Sequence, residues 1–403
     1  MKNESKNQLI FVVGGGQWQA PIIGKAQEMG FKVLCSNLYP DTEGSKLADF
    51  FELADVTDLE TNLEIARKYL PAAIITDQSD IAVRTVASLN EEFGLRGVTS
   101  EASVRFTDKL IMRRSALAAG TPCPGFMEIN TLDDAIEASQ NFGFPFILKP
   151  RCNQSSRGIV VVNNFDEIEA AFTNTTKFSG GLSLLAEQFI DGKEVTVEGY
   201  RFADRHVSLA SSEKQPFKHN RAIAERLLYP PQIDSQKLNE LYEINNFLVE
   251  SLNPGYGITH AEYMYKDGQF FLIEIAIRGG GTKISSHIAP MMSGFDLNEC
   301  LIKDALGEPQ YSSQLSLAHG RYCSLKFLGF ESGVPVARTP ESEIVGIDGV
   351  LDFSYSFELG AALSEISDDR SRHAYVICSG NSYQEVLDLE KLVEQKVIVE
   401  YEN

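Results

Sequence analysis

The chain has 403 residues, of which 56 are Asp or Glu and 36 are Lys or Arg, so its formal net charge is −20. This length predicts a globular protein of about two to four domains with well-filled cores. The acidic balance, with no basic tract that could neutralise a phosphate backbone, argues against nucleic acid as a partner.

The cysteines and the first apolar run bear on the compartment. The six cysteines are scattered, with no CxxC pair and no zinc-ligand spacing, so we expect isolated thiols in a reducing environment. The run "LIFVV" is too short for a signal-peptide core or a membrane span. We therefore expect a cytoplasmic protein with no membrane partner.

The N-terminal segment predicts a Rossmann-like α/β unit. "LIFVVGGGQWQAPIIGKAQEMGFKVLCSN" indicates a strand, a Gly-rich turn, an amphipathic helix and a second strand, and "AAIITDQSD" supplies a further strand. The turn does not match a dinucleotide fingerprint, because Gln19 stands where the third glycine belongs. The second strand also ends at Asn37 rather than at an acid, so we do not expect NAD or FAD.

After this unit the pattern changes to α+β. "SEASVRFTDKLIMRRSALAAG" predicts one helix that ends at Gly120, and the Pro-rich "TPCPGF" after it marks a domain junction. "TLDDAIEASQNFG" predicts a Thr-capped helix, "FPFILKP" and "IVVV" predict strands, and "LSLLAEQFIDGKEVTVEGY" predicts two strands around an "IDGK" turn. Beyond Pro309 we expect strands, a final helix "SYQEVLDLEKLVEQK" and no cluster of catalytic residue types.

Cations and a small polar loop occur in an order that suits a nucleotide. Lys109 opens a helix in "FTDKLIMR", Lys149 ends a strand in "FILKP", and "NQSSRG" follows shortly after. Two ammonium groups and unhindered backbone N–H donors are what a triphosphate requires. The alternative is that each lysine is a solvated end of its helix or strand.

Two acids on successive strands suggest a metal site. Glu262 lies in "THAEYMY" and Glu274 in "FLIEIAIR", and hard carboxylates on neighbouring strands can converge on Mg²⁺ at phosphate oxygens. Without metal, close acids repel each other, so neutralising one is expected to leave stability level or to raise it. The continuation "EIAIRGGGTK" adds Arg278 and three glycines, a pattern that fits either a metal and anion site or a salt-bridged strand end followed by a flexible turn.

This order of residues resembles the ATP-grasp superfamily from about Leu9 to Glu402. The resemblance implies an ATP-grasp fold with an N-terminal pre-ATP-grasp, Rossmann-like domain over residues 1–100. It further implies an ATP-grasp domain over 101–310, with a mobile lid at 131–199, and a small C-terminal α+β domain over 311–403. The cofactors implied are ATP and Mg²⁺, with Mn²⁺ as an alternative metal.

The resemblance also implies roles for individual residues. Lys109 and Lys149 would contact ATP phosphates, beneath a loop that contains Ser155 and Ser156. Glu187 with the backbone of Phe189 and Ile190 would hold adenine, and Glu194 would bind the ribose hydroxyls. Glu262 and Glu274 would bind the metal. Arg278, Lys149 and Lys214 would take part in catalysis. Arg278, Gly279, Gly280 and His287 would contact the substrate.

Two departures from the common pattern bear on the reaction. In the common pattern the second metal acid is the Glu of E-x-N, and the Asn is an additional metal ligand, whereas this chain has Ala276. The change is expected to be tolerated, because "EIAIR" resembles the "EIAPR" of N5-carboxyaminoimidazole ribonucleotide synthetases, which are active with Ala there. Those enzymes continue with P-H-N-S-G. Here "GGGTKISSH" looks more like members that ligate carboxylates to amines, L-amino acid ligases among them.

We therefore predict an ATP-dependent carboxylate–amine ligase that acts through an acyl phosphate on small-molecule substrates, with a homodimer as one candidate assembly. The alternatives are a purine-type carboxylating enzyme that acts through carboxyphosphate and a nucleotide-binding regulator without catalysis. A segment rich in cations could form an anion-facing wall or a solvated loop, and it contains Lys214, Lys218, His219, Arg221 and Arg226.

Overall fold

A computed structural model describes residues 8–153, 157–218, 223–315 and 320–402. The described strands form a four-stranded parallel sheet, a four-stranded antiparallel sheet, an eight-stranded antiparallel sheet and a two-stranded ribbon. None of the helices within these ranges combines the length and the apolar character needed to cross a membrane.

The N-terminal unit is a parallel sheet with strand order β3-β2-β1-β4, flanked by helices. It confirms the predicted βαβ opening. Its sheet is closed on one side by a helix from later in the chain, because Ile302 and Ala305 share a buried apolar cluster with Ile10 and Val12. The elements of this unit are β1 (Leu9–Val13), α1 (Ala20–Glu28), β2 (Lys32–Asn37), α2 (Glu43–Leu47), β3 (Phe50–Leu53), α3 (Leu59–Tyr69), β4 (Ala73–Ile75) and α4 (Asp80–Glu92).

The Gly-rich turn after β1 serves close packing. A Cβ on Gly15 would lie 2.4 Å from Cys35 Sγ and 2.7 Å from Ser45 Oγ, so only glycine fits there. The N–H of Gly16 donates to Gln19 Oε1 at 3.0 Å, so a side chain of the chain itself takes up this donor. The turn therefore joins neighbouring elements, in keeping with the absence of a dinucleotide fingerprint.

The segment predicted as one helix is in fact two, α5 (Ser100–Thr107) and α6 (Lys109–Ala118). The break falls at Asp108, whose extended backbone (φ −113°, ψ 109°) ends α5 and whose side chain accepts hydrogen bonds from Leu110 and Ile111 N–H groups. Asp is a strong N-cap because its carboxylate satisfies N–H groups that have no partner within the helix. The cap places Lys109 at the first position of α6.

The second sheet has the order β5-β8-β6-β7 and, apart from its first strand, lies within residues 131–199, for which a lid was predicted; we call it the lid sheet. Helix α7 begins with the expected cap, since Thr131 and Asp134 form a reciprocal capping box. The strands predicted around "IDGK" do not form a hairpin, because β8 lies in this sheet while the next strand, β9, lies in the eight-stranded sheet. The elements here are β5 (Phe126–Ile129), α7 (Leu132–Phe142), β6 (Phe146–Pro150), β7 (Val160–Val162), α8 (Ile168–Thr176) and β8 (Leu184–Gln188).

The eight-stranded sheet runs through the rest of the chain in the order β13-β12-β9-β10-β11-β14-β17-β16. One face of its first half packs on α9 through a large apolar cluster. Its elements to residue 310 are β9 (Lys193–Arg201), β10 (His206–Pro216), β11 (Ala224–Tyr229), α9 (Ser235–Leu252), β12 (Gly257–Lys266), β13 (Gln269–Ala276), α10 (Ala289–Ser293) and α11 (Leu297–Ala305).

The C-terminal segment extends this sheet across the predicted boundary at residue 310. Strand β14 pairs antiparallel with β11, with Leu227 opposite Leu325. The strands and helix predicted in this segment are present. Because β14 pairs with β11, the predicted division into 101–310 and 311–403 cuts through continuous backbone hydrogen bonding. The elements are β14 (Tyr322–Leu328), β15 (Pro335–Arg338), α12 (Glu341–Val345), β16 (Val350–Tyr355), β17 (Ala374–Gly380), α13 (Tyr383–Lys396) and β18 (Val399–Tyr401).

Candidate active site

A cleft of about 1070 Å³ lies between the N-terminal unit, the lid sheet and the eight-stranded sheet. Its walls bring together most of the predicted site residues, although these are far apart in the sequence. The predicted residues that line it are Lys109, Lys149, Phe189, Ile190, Glu194, Lys214, Glu262, Glu274 and Arg278.

The two predicted metal acids lie directly opposite each other. Glu262 on β12 and Glu274 on β13 are cross-strand partners, and the register shifts immediately after them, between Glu262 and Tyr263. Directly paired residues on one face of an antiparallel pair have side chains close enough to act together. Both side chains line the cleft, so the pair presents carboxylate oxygens toward the space where a ligand would bind.

Each of these acids has a cationic neighbour in the structure. Lys109 Nζ lies 2.9 Å from Glu274 Oε1 and also donates to the carbonyl oxygen of Asn153 at 2.8 Å. Burial acts to lower the pKa of Lys109, but the negative charge of Glu274 raises it, so the ammonium stays charged. Glu262 Oε1 lies 3.4 Å from His260 Nε2.

His260 is a buried residue that the sequence analysis did not select. Its Nδ1 lies 2.8 Å from Glu198 Oε1, so the imidazole bridges Glu198 and the metal acid Glu262. Burial alone would lower the pKa of His260, but Glu198 and the two hydrogen bonds raise it to about 10. Its cross-strand partner is Ala276, the position where the common family pattern has Asn.

Lys149 ends β6 within a buried group of charges. Its Nζ lies 2.6 Å from Glu187 Oε2, and Arg113 Nε donates to the other oxygen of Glu187 at 2.8 Å. Burial, together with the charges of Arg113 and Lys109, lowers the pKa of Lys149 to about 8 even though Glu187 acts to raise it. Burial opposes ionisation of Glu187, but the two cations lower its pKa.

This arrangement gives Glu187 different neighbours from the one expected. Its side chain is 1 % exposed and does not line the cleft, and both of its oxygens are bound by Arg113 and Lys149. The carboxylate of Glu187 lies behind Lys149, away from the cleft, and holds the ammonium group of that lysine in place. The geometry therefore does not favour adenine contact by the Glu187 side chain, whereas Phe189 and Ile190, two and three residues further on, do line the cleft.

Glu194 and Lys214 form a further pair on adjacent strands. Lys214 Nζ lies 2.7 Å from Glu194 Oε1, and the two residues are cross-strand partners on β10 and β9. Burial acts to lower the pKa of Lys214, but Glu194, Glu262 and Asp369 raise it. The predicted catalytic lysine is thus a fixed positive charge near the metal acids.

Arg278 follows β13 and is clamped by the N-terminal unit. Its Nε and Nη2 donate to the two carboxylate oxygens of Asp80, at 3.0 and 2.7 Å, and its Nη1 donates to the carbonyl oxygen of Gly279 at 2.8 Å. This two-pronged geometry is the strong form of an Arg–carboxylate contact. Asp80 is the first residue of α4 and also lines the cleft.

The three glycines after Arg278 have separate structural reasons. A Cβ on Gly279 would lie 2.3 Å from Ser285 Oγ and 2.7 Å from Asp77 Oδ1, and one on Gly280 would lie 3.0 Å from His260 Nδ1. A Cβ on Gly281 would meet nothing within 4 Å. Of the three, only Gly281 lines the cleft, so direct substrate contact by Gly279 and Gly280 is not favoured by this arrangement.

Several predicted residues lie away from the cleft or outside the described residues. His287 does not line the cleft, its Nδ1 lies 2.9 Å from Ser286 Oγ, and burial lowers its pKa. Arg226 is bound by Glu390 of α13 and by Gln215, so it does not belong to an anion-facing wall. Ser155, Ser156, His219 and Arg221 lie outside the described residues.

The cleft also contains residues that were not predicted. Gln78 and Asp80 come from the polar run that follows β4, and Trp18 comes from the turn after β1. Their positions after β1 and β4 could have identified them from the sequence, because ligands bind at the carboxyl ends of parallel strands. The C-terminal segment, for which no site was expected, contributes residues that include Tyr355, Asp369, Arg372 and Tyr375.

The parallel N-terminal unit, the lid sheet and the central sheet with paired acids form the ATP-grasp fold, and the chain contains a domain of the ATP-grasp superfamily. The ATP-grasp domain family matches residues 142–286. Members of this superfamily are ATP-dependent ligases that use ATP with Mg²⁺.

Similar proteins cover nearly the whole chain. The structure of an L-amino acid ligase from Bacillus licheniformis superposes with a TM-score of 0.85 at 20% identity, over 98% of this chain and 99% of that one. An N5-carboxyaminoimidazole ribonucleotide synthetase from Thermotoga maritima gives 0.72 at 20% identity, over 98% and 100%. In sequence, a formate-dependent phosphoribosylglycinamide formyltransferase from Synechococcus sp. strain CC9605 is 22% identical over 353 residues, which is 82% of this chain and 86% of the relative.

Proposed function

We propose that the protein is an ATP- and Mg²⁺-dependent carboxylate–amine ligase that forms an amide bond through an acyl phosphate. The observation that carries this proposal is the convergence of five charged groups on one cleft. Glu262 and Glu274 face each other across β12 and β13, Arg278 reaches the same space from just beyond β13, and Lys109 and Lys149 reach it from two other segments. This is the charge distribution that a metal-bound triphosphate and a carboxylate require together.

The metal acids fit Mg²⁺ by their donor chemistry. Mg²⁺ prefers hard oxygen ligands and is commonly held by one or two carboxylates together with substrate phosphates and water. Two opposed Glu side chains meet that need. The described ranges contain no group of three or more His, Cys, Asp or Glu that could hold a metal ion by protein ligands alone. When bound, the ion would offset negative charge on the phosphate oxygens of ATP.

The cations of the cleft would bind and orient the nucleotide. Lys109 opens α6 beneath the lid, and Lys149 is held in place from below by Glu187, so both ammonium groups have fixed positions. Phe189 and Ile190 lie at the crossing between the lid sheet and the eight-stranded sheet, where an adenine ring would pack. Preformed charges of this kind lower a phosphoryl-transfer barrier because they need little reorganisation.

Arg278 would hold the carboxylate substrate in line with the γ-phosphate. A carboxylate oxygen attacks the γ-phosphorus, the bond to the β,γ-bridging oxygen breaks, and ADP leaves. The amine then attacks the acyl carbon, inorganic phosphate leaves, and the amine nitrogen loses a proton. The planar fork of Arg suits this task because it can contact two oxygens while its charge remains fixed.

The similar proteins support a reaction of this class. One is named for dependence on formate, which is a carboxylate, and another is named as a ligase of amino acids. A third is a carboxyaminoimidazole ribonucleotide synthetase, so a carboxylating reaction belongs in any test. The loop after Arg278 differs from the purine pattern, and this favours an organic acid over bicarbonate.

Hydroxylamine trapping tests the proposal because hydroxylamine can take the place of the amine substrate. The purified protein is incubated with Mg·ATP, hydroxylamine and single organic acids, and both ADP and the acyl hydroxamate are measured. We expect acid-dependent formation of the two products in equal amounts. Turnover that requires bicarbonate alone would instead indicate carboxyphosphate chemistry, and an absence of turnover with every acid and amine would refute the ligase proposal.

A further inference from the structure

Asp77 is a fully buried carboxylate that joins two distant parts of the chain. It follows β4, is 0 % exposed and does not line the cleft. Its Oδ1 accepts hydrogen bonds from the N–H groups of Gln78 at 2.9 Å and Gly279 at 2.8 Å. Its Oδ2 accepts one from Ser285 Oγ at 2.7 Å. Any effect of Asp77 on a ligand therefore passes through the groups that donate to it.

The two oxygens of Asp77 hold the two ends of one loop, the segment 279–285 that follows β13. Gly279 begins this loop and Ser285 ends it, so a single carboxylate fixes the distance between them. The approach is tight, because a Cβ on Gly279 would lie 2.3 Å from Ser285 Oγ and 2.7 Å from Asp77 Oδ1. The loop and the residue before it form part of the cleft wall through Arg278, Gly281, Thr282 and Ile284.

The middle of the loop has a conformation that outside contacts must enforce. Thr282 and Lys283 are left-handed, with φ of 60° and 62°, which is costly for residues other than glycine. Lys283 N–H donates to Gln78 Oε1 at 3.0 Å, and Lys283 Nζ lies 2.8 Å from Asp352 Oδ2 on β16. The N-terminal unit thus holds the loop at both ends and at its centre, and the C-terminal segment holds the centre from the other side.

These contacts bear on Arg278, which directly precedes the loop. Asp80 orients the guanidinium, whereas Asp77 holds the backbone at the next residue, Gly279. We propose that Asp77 is a positioning residue for the acid substrate, because it clamps the loop 279–285 and so sets the place of Arg278 and of the cleft wall beside it. The proposal rests on the proposed function, in which Arg278 holds the carboxylate. It gives the N-terminal unit a part in acid binding that involves no contact between Asp77 and the acid.

The hydrogen bonds of Asp77, rather than its charge, carry this role. Burial raises the pKa of Asp77, although its hydrogen bonds, first among them the one from Ser285, act to lower it. The charge is therefore costly to bury, and the clamp needs only the acceptor oxygens. An Asn side chain has the same shape, keeps one acceptor oxygen for the two N–H groups and can donate to Ser285 Oγ. Asp77→Asn should therefore keep the clamp, whereas Asp77→Ala should release it.

Kinetics and nucleotide binding separate a positioning role from a general loss of structure. Hydroxylamine trapping is measured with an acid that the parent protein activates, and the Kd of Mg·ATP is measured by calorimetry. In Asp77→Ala we expect kcat/KM for the acid to fall by roughly 10- to 100-fold, since a small misplacement of a substrate-holding group has effects of this size. The Kd of Mg·ATP should stay close to that of the parent, and Asp77→Asn should retain most of the activity.

Trp18 gives a second measurement that requires no turnover. It is the single tryptophan of the chain, and its carbonyl oxygen accepts a hydrogen bond from Gln78 Nε2 at 3.0 Å. It also packs against the apolar cluster that contains Ile284 of the loop. Release of the loop in Asp77→Ala should therefore increase the quenching of Trp18 fluorescence by acrylamide, whereas Asp77→Asn should be quenched like the parent.

Asp304→Ala is the matched control for the removal of a buried carboxylate. Asp304 is also 0 % exposed, accepts hydrogen bonds from Tyr200 and Arg96, and does not line the cleft. Its replacement should lower the melting temperature without changing Trp18 quenching or kcat/KM for the acid. If Asp77→Ala does not fold, Ser285→Ala removes one bond of the clamp and should change both quantities in the same direction by a smaller factor.

Three results would overturn the proposal. The first is parental quenching and kcat/KM in the folded clamp variants, and the second is a loss of Mg·ATP affinity as large as the loss of kcat/KM. The third is an Asp77→Asn protein as impaired as Asp77→Ala, which would assign the effect to charge. If the parent protein yields no hydroxamate with any acid, the ligase function itself fails, and Trp18 quenching still decides whether Asp77 clamps the loop.

Discussion

Replacement of Glu274 by Gln tests whether this acid belongs to a metal and phosphate site. Its carboxylate is paired with Lys109 at 2.9 Å, and the two side chains are 25 % and 6 % exposed. Loss of one partner from a fully buried pair costs about 3–5 kcal/mol, and an exposed pair contributes about 0–1 kcal/mol, so we expect a loss of about 1–3 kcal/mol for this partly buried pair. This pairing reverses the expectation, drawn from repulsion between the two acids, that neutralisation would raise stability.

The same substitution should lower catalysis more than stability. Loss of one charged oxygen from the proposed Mg²⁺ site is expected to reduce ADP release on the order of 100-fold or more. The assays are thermal unfolding of the protein without ligand and steady-state ADP release. Glu52→Gln is the control, because Glu52 pairs with Lys68 at the surface of the N-terminal unit, so its replacement should cost at most about 1 kcal/mol and leave ADP release unchanged. A Glu274→Gln protein that melts and releases ADP like the parent would refute the reasoning.

Three further predictions concern individual contacts. Because burial lowers the pKa of Lys149 to about 8, its ammonium loses a proton as the pH rises through that value. ATP affinity measured by calorimetry should therefore fall from pH 7 to 9. The Lys149→Met variant should bind ATP weakly and without this pH dependence. Gly279→Ala should lower the melting temperature and abolish turnover because its Cβ would overlap Ser285 and Asp77, whereas Gly281→Ala should be tolerated, and equal behaviour of the two would contradict the packing argument. Binding of Mg·ATP should slow amide hydrogen exchange in β6 and β7 if the lid closes on the nucleotide, and unchanged exchange there would count against a closing lid.

The sequence predicted the ATP-grasp fold and the charged groups of the cleft because the order of motifs along the chain reflects the family. It did not predict the partners of those groups, which depend on distances between segments. Glu187 is an example, since only the fold shows that its strand turns the carboxylate toward Arg113 and Lys149. The break at Asp108 was readable from the capping preference of Asp, but the helical periodicity on both sides obscured it.

Asp80 and the C-terminal wall of the cleft were missed for different reasons. Asp80 lies just after a parallel strand, in a place where ligand-binding residues are common, so attention to strand ends would have selected it. Tyr375 gives no such signal, because its place in the cleft depends on the pairing of β14 with β11 and of β17 with β14. Pairing between strands roughly 50 to 100 residues apart cannot be read from local patterns.

The continuous sheet has a consequence for dividing the protein into fragments. A polypeptide that ends near residue 310 would lack β14, so the outer hydrogen-bonding groups of β11 would be unpaired. The same cut would uncover Leu227 and Tyr229, which share a buried cluster with Cys323 and Leu325. An open strand edge beside exposed apolar side chains is a template for intermolecular pairing. The ATP-grasp portion expressed alone is therefore expected to aggregate, and its solubility would depend on the C-terminal strands being part of the same chain.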